Sequence, residues 1–237
     1  INGKISIYIR LAENKEEAVQ KTLLYSALFN SGIKKEFLHK TIFDVKMNKE
    51  ELDSILLKMY INNNIYFKDD TAFLNQTFTF RKQSKVKSNH IKNKKALKIM
   101  NFIPFISSAS LSGGTSHYGY ENHNDIDLFI ITKSNALYIV YALIHSLSLL
   151  FRVRKELCAN YLIDERGMEI KHPHDFYTAH QIISLQAIKN KKMLNNFFNH
   201  NKWIKNHFPN FSWEDTEKFK PAKNIFLMPF NKTMKFL

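Results

Sequence analysis

The chain has 237 residues, 44% of them hydrophobic, and a formal charge of +14. That length buries a substantial core and holds one domain or two modest ones, while a single cysteine, Cys158, excludes an internal disulfide and suits a reducing interior. No apolar run reaches membrane-spanning length, since the longest, Ala136 to Phe151, is interrupted by Tyr138, His145, Ser146 and Ser148; the first residues carry no signal-peptide pattern, so the expected location is cytoplasmic.

Glu16 to Asn30 reads as a helix with an apolar stripe of Ala18, Leu23, Leu24, Ala27 and Leu28, stopped by Ser31-Gly32. Lys35 to Phe43 reads as a second, short helix. Asn48 caps a third, with Glu51 at the capping-box position and Leu52, Ile55, Leu56 and Met59 turned inward. Two β-like runs follow, Ile65–Phe67 and Ala72–Leu74, joined by Lys68–Thr71. Three helices and a hairpin make a winged-helix-like module over residues 1–80. Glu50, Glu51 and Asp53 gather where a recognition helix would meet base edges and phosphates. Packing or partner binding is therefore expected of this module, and specific duplex DNA binding is not.

Lys82 to Met100 reads as a basic helix; from Arg81 to Lys98 there are eight Lys/Arg residues and no acid. A nucleic acid, a nucleotide or an acidic membrane surface would suit this run, and a solvated helix face accounts for it equally well. A first core strand is expected near Ile103–Ala109. After Gly113-Gly114 and a polar turn, Asp125-Ile126-Asp127 opens a second strand through Leu128–Ile131. Ser134 to Arg152 reads as a long helix, and Arg152, Arg154 and Lys155 at its end complement the helix dipole and lie where a triphosphate would be in reach. Leu157–Ile163 is the third strand, Asp164–Gly167 a turn, and Met168–Lys171 the expected fourth strand. Asp175–Leu194 and Asn195–Pro209 read as helices, with the tail from Phe211 to Leu237 draped over the core. The fold class is α+β (mixed α/β): a core over residues 81–175, built on a small mixed sheet, and a helical C-terminal region over 176–237 that packs on it.

Chemistry concentrates between the first two core strands. Asp125 and Asp127 stand two apart, so on a strand both carboxylates point to one face. Two such charges at the mouth of a buried strand call for a counter-charge, and oxygen ligands suit magnesium or manganese. Gly113 and Gly114 let the backbone approach a bulky anion, and a helix starting near Thr115 would direct free N–H groups at phosphate. Phosphoryl or nucleotidyl transfer uses this equipment.

The stretch resembles the nucleotidyltransferase superfamily typified by DNA polymerase beta. Gly113, Gly114, Thr115, Asp125, Ile126, Asp127 and Leu128 fill that family's pattern, and Gly119 stands where many small members carry a further glycine. The resemblance implies that Gly113, Gly114, Thr115 and Ser116 cradle the triphosphate and that Asp125 and Asp127 bind Mg2+ or Mn2+. It also implies a third carboxylate from a later strand. Here the sequence departs from the pattern, because the central polar residue of the third strand is Asn160, whose amide cannot take a proton from a hydroxyl near neutral pH. Glu156 and Asp164 lie at the ends of that strand and Glu169 on its expected hairpin partner. His117 and His123 flank the motif, while the spacing of His172, His174 and His180 around Asp175 matches no zinc site and reads as ordinary surface histidines.

Tyr25 and Phe29, Cys158 with Asn160-Tyr161, Tyr177-Thr178-Ala179, Asn201 with Trp203, and Pro209-Asn210 extend the likeness to a bacterial group that joins an N-terminal helical module to a nucleotidyltransferase domain. The implied activity is metal-dependent transfer of a nucleoside monophosphate from an NTP such as ATP to a hydroxyl on a small molecule, a protein or RNA. Two other readings stay open: a decayed nucleotide- or nucleic-acid-binding regulator, and an RNA-directed nucleotidyltransferase that grips RNA with residues 81–98.

Overall fold

The computed structural model describes residues 13–28, 32–74, 97, 100, 102–113, 116 and 125–215. Most of the basic helix expected over Lys82–Met100 and the tail beyond residue 215 lie outside them; Leu97 and Met100 are described, and Met100 is buried.

The N-terminal part runs α1 (Lys15–Ala27), β1 (Ile33–Lys34), α2 (Lys35–Thr41), α3 (Lys49–Ile61), β2 (Ile65–Lys68) and β3 (Thr71–Leu74). α3 starts as its sequence predicts. The Asn48 side chain accepts from the Glu51 N–H, and the Glu51 carboxylate accepts from the Asn48 N–H. Asn48→Ala removes half of that reciprocal cap and should lower stability by about 1 kcal/mol, read from the urea midpoint at unchanged m-value. β2 and β3 pair further toward the turn than the hydrophobic runs suggest. Lys68 faces Thr71, leaving Asp69-Asp70 as a two-residue loop with positive φ at both positions. β1 was not foreseen: its two residues carry no periodicity, and it exists because β3 offers an edge, giving the antiparallel order β1-β3-β2. Ala18, Val19, Leu23, Leu38, Ile42, Leu52, Leu56, Met59, Ile65 and Ala72 form the core beneath.

The second sheet contains β4 (Ile106–Leu111), β5 (Ile126–Thr132), β6 (Leu157–Asp164) and β7 (Gln186–Lys189) in the order β6-β5-β4-β7. β5 and β6 are parallel, connected over α4 (Leu137–Leu150); the other pairs are antiparallel. Strands and helices together make the chain α+β. β4 begins later than expected because Phe105, at φ 65°, closes a turn before it. α4 is shorter than Ser134–Arg152 for the same kind of reason, with Asn135 at φ 61° and Arg152 at φ 57° outside its ends.

The fourth strand is a correction. Residues 168–171 form no strand; Met168 is buried and the Ile170 N–H donates to Asn201 Oδ1. The helix expected over Asp175–Leu194 instead divides into α5 (Phe176–Ile183), β7 and α6 (Lys191–His200). β4 has a free edge that needs a partner, and Gln186–Lys189 fills it. The left-handed Asn190 (φ 54°) then turns the chain and caps α6 by accepting from Met193. Asn195–Pro209 likewise holds the end of α6 and a 3-10 turn, Lys202–Asn206, in place of one helix.

Alternation splits this sheet into two faces. Ala109, Leu111, Ile126, Leu128 and Ile130 pack on Val140 and Ile144 of α4. Phe129, Ile131, Ile163 and Ala187 pack on α5, α6 and the residues after them. Tyr25 of α1 and Phe43 belong to this second core, with Phe176 4.9 Å from Tyr25 and 4.2 Å from Phe43 between ring centroids. Backbone bonds add to the joint: Asp44 N–H to His207 O at 2.8 Å, and Met47 N–H to Asn210 Oδ1 at 3.0 Å. Among the described residues no helix is long and apolar enough to cross a membrane.

Candidate metal and nucleotide site

Asp125 ends the approach to β5 and Asp127 is the second residue of the strand. Ile126 and Leu128 are fully buried against α4, so the pleat turns Asp127 to the opposite face. Two neighbours share that position. On the β4 side, the Ser112 N–H donates to Asp127 O at 3.0 Å, one step beyond the Leu111–Leu128 pair, which sets Ser112 opposite Asp127. On the β6 side, Asp127 is in register with Cys158. Residues directly opposite in a ladder project to the same face. Ser112, Asp127 and Cys158 therefore form a row across three strands, with Asp125 at its edge.

The donor atoms of Asp125, Asp127 and Cys158 all lie within 4.8 Å of one another, and all three residues are half-buried. Burial pushes the Cys158 thiol above its ordinary pKa, the charges of Asp127 and then Asp125 push it further, and its hydrogen bond to Asp127 acts in the same sense. At neutral pH it is a protonated donor to the carboxylate.

Gly113 is fixed by two constraints. Its φ is +55°, and a Cβ there would stand 2.7 Å from Asp127 Oδ2. Only a residue without a side chain lets the turn pass this close to the carboxylate. Ser116 closes the turn, its hydroxyl donating to Gly113 O at 2.8 Å and its N–H to Ser112 O at 3.3 Å. Gln186 Nε2 donates to Ser116 O at 2.6 Å, so β7 braces the turn. Ser116 thus holds the turn from within, and Gln186 is a supporting residue that the expected helix over 175–194 concealed. Gly114 and Thr115 lie outside the described residues, as do Gly119, His117 and His123.

The third position of the row differs from the sequence expectation. Uninterrupted alternation would have put Asn160 on the face of Cys158. The ladder, however, passes from Asp127–Cys158 to Phe129–Tyr161, so β6 carries an extra residue and Ala159 and Asn160 together face Leu128. Asn160 is exposed at this bulge, and Tyr161 takes the next place on the site face, stacked on Phe129 at 5.8 Å. Asp164 pairs with Thr132 at the far end of both strands; the Arg166 side chain and N–H, with the Asn135 N–H, hold its carboxyl down at about 2. Glu165 hydrogen-bonds Ser107 and pairs with Lys133, also at the far end. Glu169 is exposed and has no hairpin partner, and Glu156 offers its carbonyl to Ile126. Among the described residues, the titratable group that joins Asp125 and Asp127 is the thiol of Cys158.

The histidines form no metal cluster among the described residues. His174 stacks on Trp203 at 4.4 Å, and His180, expected at the surface, is buried against Tyr25, Phe176 and Phe208. Arg152, Arg154 and Lys155 are exposed and lead directly into β6 at the end that carries Cys158. A pocket of about 510 Å³ occurs elsewhere, between α2, α3 and the Asp69-Asp70 loop, but the Lys35–Asp53 ion pair (2.9 Å) occupies its lining. No family model, curated protein or solved structure matches the chain.

Proposed function

We propose that the chain is a metal-dependent nucleotidyltransferase that moves a nucleoside monophosphate from an NTP to a hydroxyl acceptor. The observation that carries this is the fit of Gly113 against Asp127: a turn without room for a methyl group, pressed on one of two carboxylates at the entrance of β5. Three features fit a divalent cation: two converging carboxylates, a third donor within reach, and the buried hydroxyl of Ser112 in the same row, unpartnered among the described residues. Asp125 and Asp127 would hold the ion, which when bound supplies positive charge against the triphosphate. The turn opened by Gly113 and locked by Ser116 and Gln186 brings backbone within reach of phosphate. Arg152, Arg154 and Lys155 add positive potential at the same end of the sheet.

The order α1-β1-α2-α3-β2-β3 supports a winged helix for the N-terminal module. Its acids favour a packing role over specific DNA binding: Glu51 pairs with Lys15, Asp53 with Lys35, and the hairpin tip is Asp69-Asp70. A second reading, a regulator that binds nucleotide without transfer, draws support from the thiol where a third carboxylate would help activate the acceptor.

The test is calorimetric titration of the full chain with ATP, GTP, CTP and UTP in magnesium or manganese. Asp125→Asn with Asp127→Asn should reduce metal-dependent affinity on the order of 100-fold while leaving the circular dichroism and melting curve intact. Equal affinity in wild type and double variant rules the site out. Incorporation of labelled NTP separates transfer from binding alone.

A further inference from the structure

The third donor of the site is sulfur, in a row where the other donors are oxygen. Resting on the nucleotidyltransferase reading of this site, we propose that Cys158 is a metal ligand and makes the centre select a thiophilic divalent cation of the zinc and cobalt class over magnesium.

Two independent observations converge. The first is the convergence of donors: Cys158 Sγ and the Asp125 and Asp127 oxygens lie within 4.8 Å of one another, drawn from two strands in parallel register. Ligands of a tetrahedral zinc ion, with Zn–S about 2.3 Å and Zn–O about 2.1 Å, stand roughly 3.5 Å apart. Small side-chain rotations close that gap, and neither strand has to move. The second observation is Ser112. The residue is only 7% exposed, its hydroxyl has no hydrogen-bond partner among the described residues, and its place opposite Asp127 aims it at the same face. A buried hydroxyl without a partner is costly. A water on the bound ion would satisfy it and complete a fourth position.

Donor chemistry decides which ion this set prefers. Magnesium demands near-ideal oxygen octahedra, whereas thiolate is a soft ligand that favours zinc and its relatives. Coordination through Sγ releases the thiol proton to solvent, so the ligand set gains one negative charge, which offsets part of the charge that the divalent ion brings. The bulge at Ala159-Asn160 follows the Asp127–Cys158 pair and takes Asn160 off the face that Cys158 occupies.

The chain's single cysteine makes the test unambiguous. Cobalt(II) added to the full-length protein should produce a thiolate-to-cobalt charge-transfer band in the near ultraviolet, which zinc(II) then bleaches by displacement. Cys158→Ser should abolish the band and lower zinc affinity by more than the ~10–100-fold that even outer ligand-positioning partners are worth. Cys158→Asp should shift preference back toward magnesium. Cobalt bound with no thiolate band, and with equal affinity in wild type and Cys158→Ser, overturns the inference. Magnesium–NTP binding that persists in that case, dependent on Asp125 and Asp127, leaves the nucleotidyltransferase reading standing. Absence of any divalent binding, with or without NTP, sinks both.

Discussion

Gly113→Ala is expected to disable the site while leaving a folded protein. The added methyl meets Asp127 Oδ2 at 2.7 Å, and the backbone must hold φ near +55° with a side chain present. Left-handed strain of this kind costs about 1–3 kcal/mol, visible as a lower urea midpoint. The larger effect falls on geometry. To restore ordinary contact, the Asp127 carboxylate has to retreat by more than half an ångström (roughly the difference between 2.7 Å and a normal contact), in a site where ligand distances matter within about 0.2 Å. A misplacement near 1 Å typically costs about 100-fold in a positioned reaction. On the proposed nucleotidyltransferase reading, metal-dependent NTP binding and any transfer should fall by that order. Gly167→Ala is the matched control, because nothing lies within 4 Å of a Cβ there. Wild-type affinity in Gly113→Ala would refute the contact as a functional one.

Asn201→Ala should be among the most destabilising single substitutions in the chain. Asn201 is 0% exposed. Its Oδ1 accepts from Ile170 N–H at 2.8 Å and from Trp203 Nε1 at 3.2 Å, while Nδ2 donates to Met168 O at 2.7 Å and Phe197 O at 2.8 Å. One amide thus ties the segment after β6 to the end of α6. Truncation orphans backbone groups that no water easily reaches, at about 1–3 kcal/mol each. We expect a loss of about 3–5 kcal/mol in total, and a melting temperature lower by roughly 10 °C for a chain of this size. Asn201→Asp, which keeps the acceptor and loses the donors, should fall between. A shift under about 2 °C in Asn201→Ala would mean that the network contributes little.

What could be read in the sequence was local. The Asn48–Glu51 box, the Asp125-Ile126-Asp127 strand entrance and the Gly113 turn each announce themselves within a few residues, because caps and alternation are short-range physics. β7 was hidden because Gln186–Lys189 is too short to carry a period of its own and becomes a strand only beside the open edge of β4. The sequence points to Asn160 rather than Cys158 for a related reason. Parallel register between β5 and β6 is set across strands that α4 separates in the chain, and the bulge shows only in that pairing. Neither leaves a mark in the order of residues. Mid-strand placement points to Asn160, and one inserted position turns it off the face that Cys158 shares with Asp127.

The union of Tyr25, Val45 and Met47 with the C-terminal segment also sets a timetable. Val45 O receives its bond from Asn210, 165 positions further along the chain. A ribosome adding about 5–20 residues per second takes roughly 8–33 s to cover that distance. Throughout this interval the three helices of the N-terminal part have emerged with their own small core available, while Tyr25 and Phe43 wait without Phe176 and Phe208. The nascent chain therefore carries an aromatic patch that residues 176–211 must cover. Chaperone demand and vulnerability to proteolysis should peak in that window and end when residues 176–211 leave the exit tunnel.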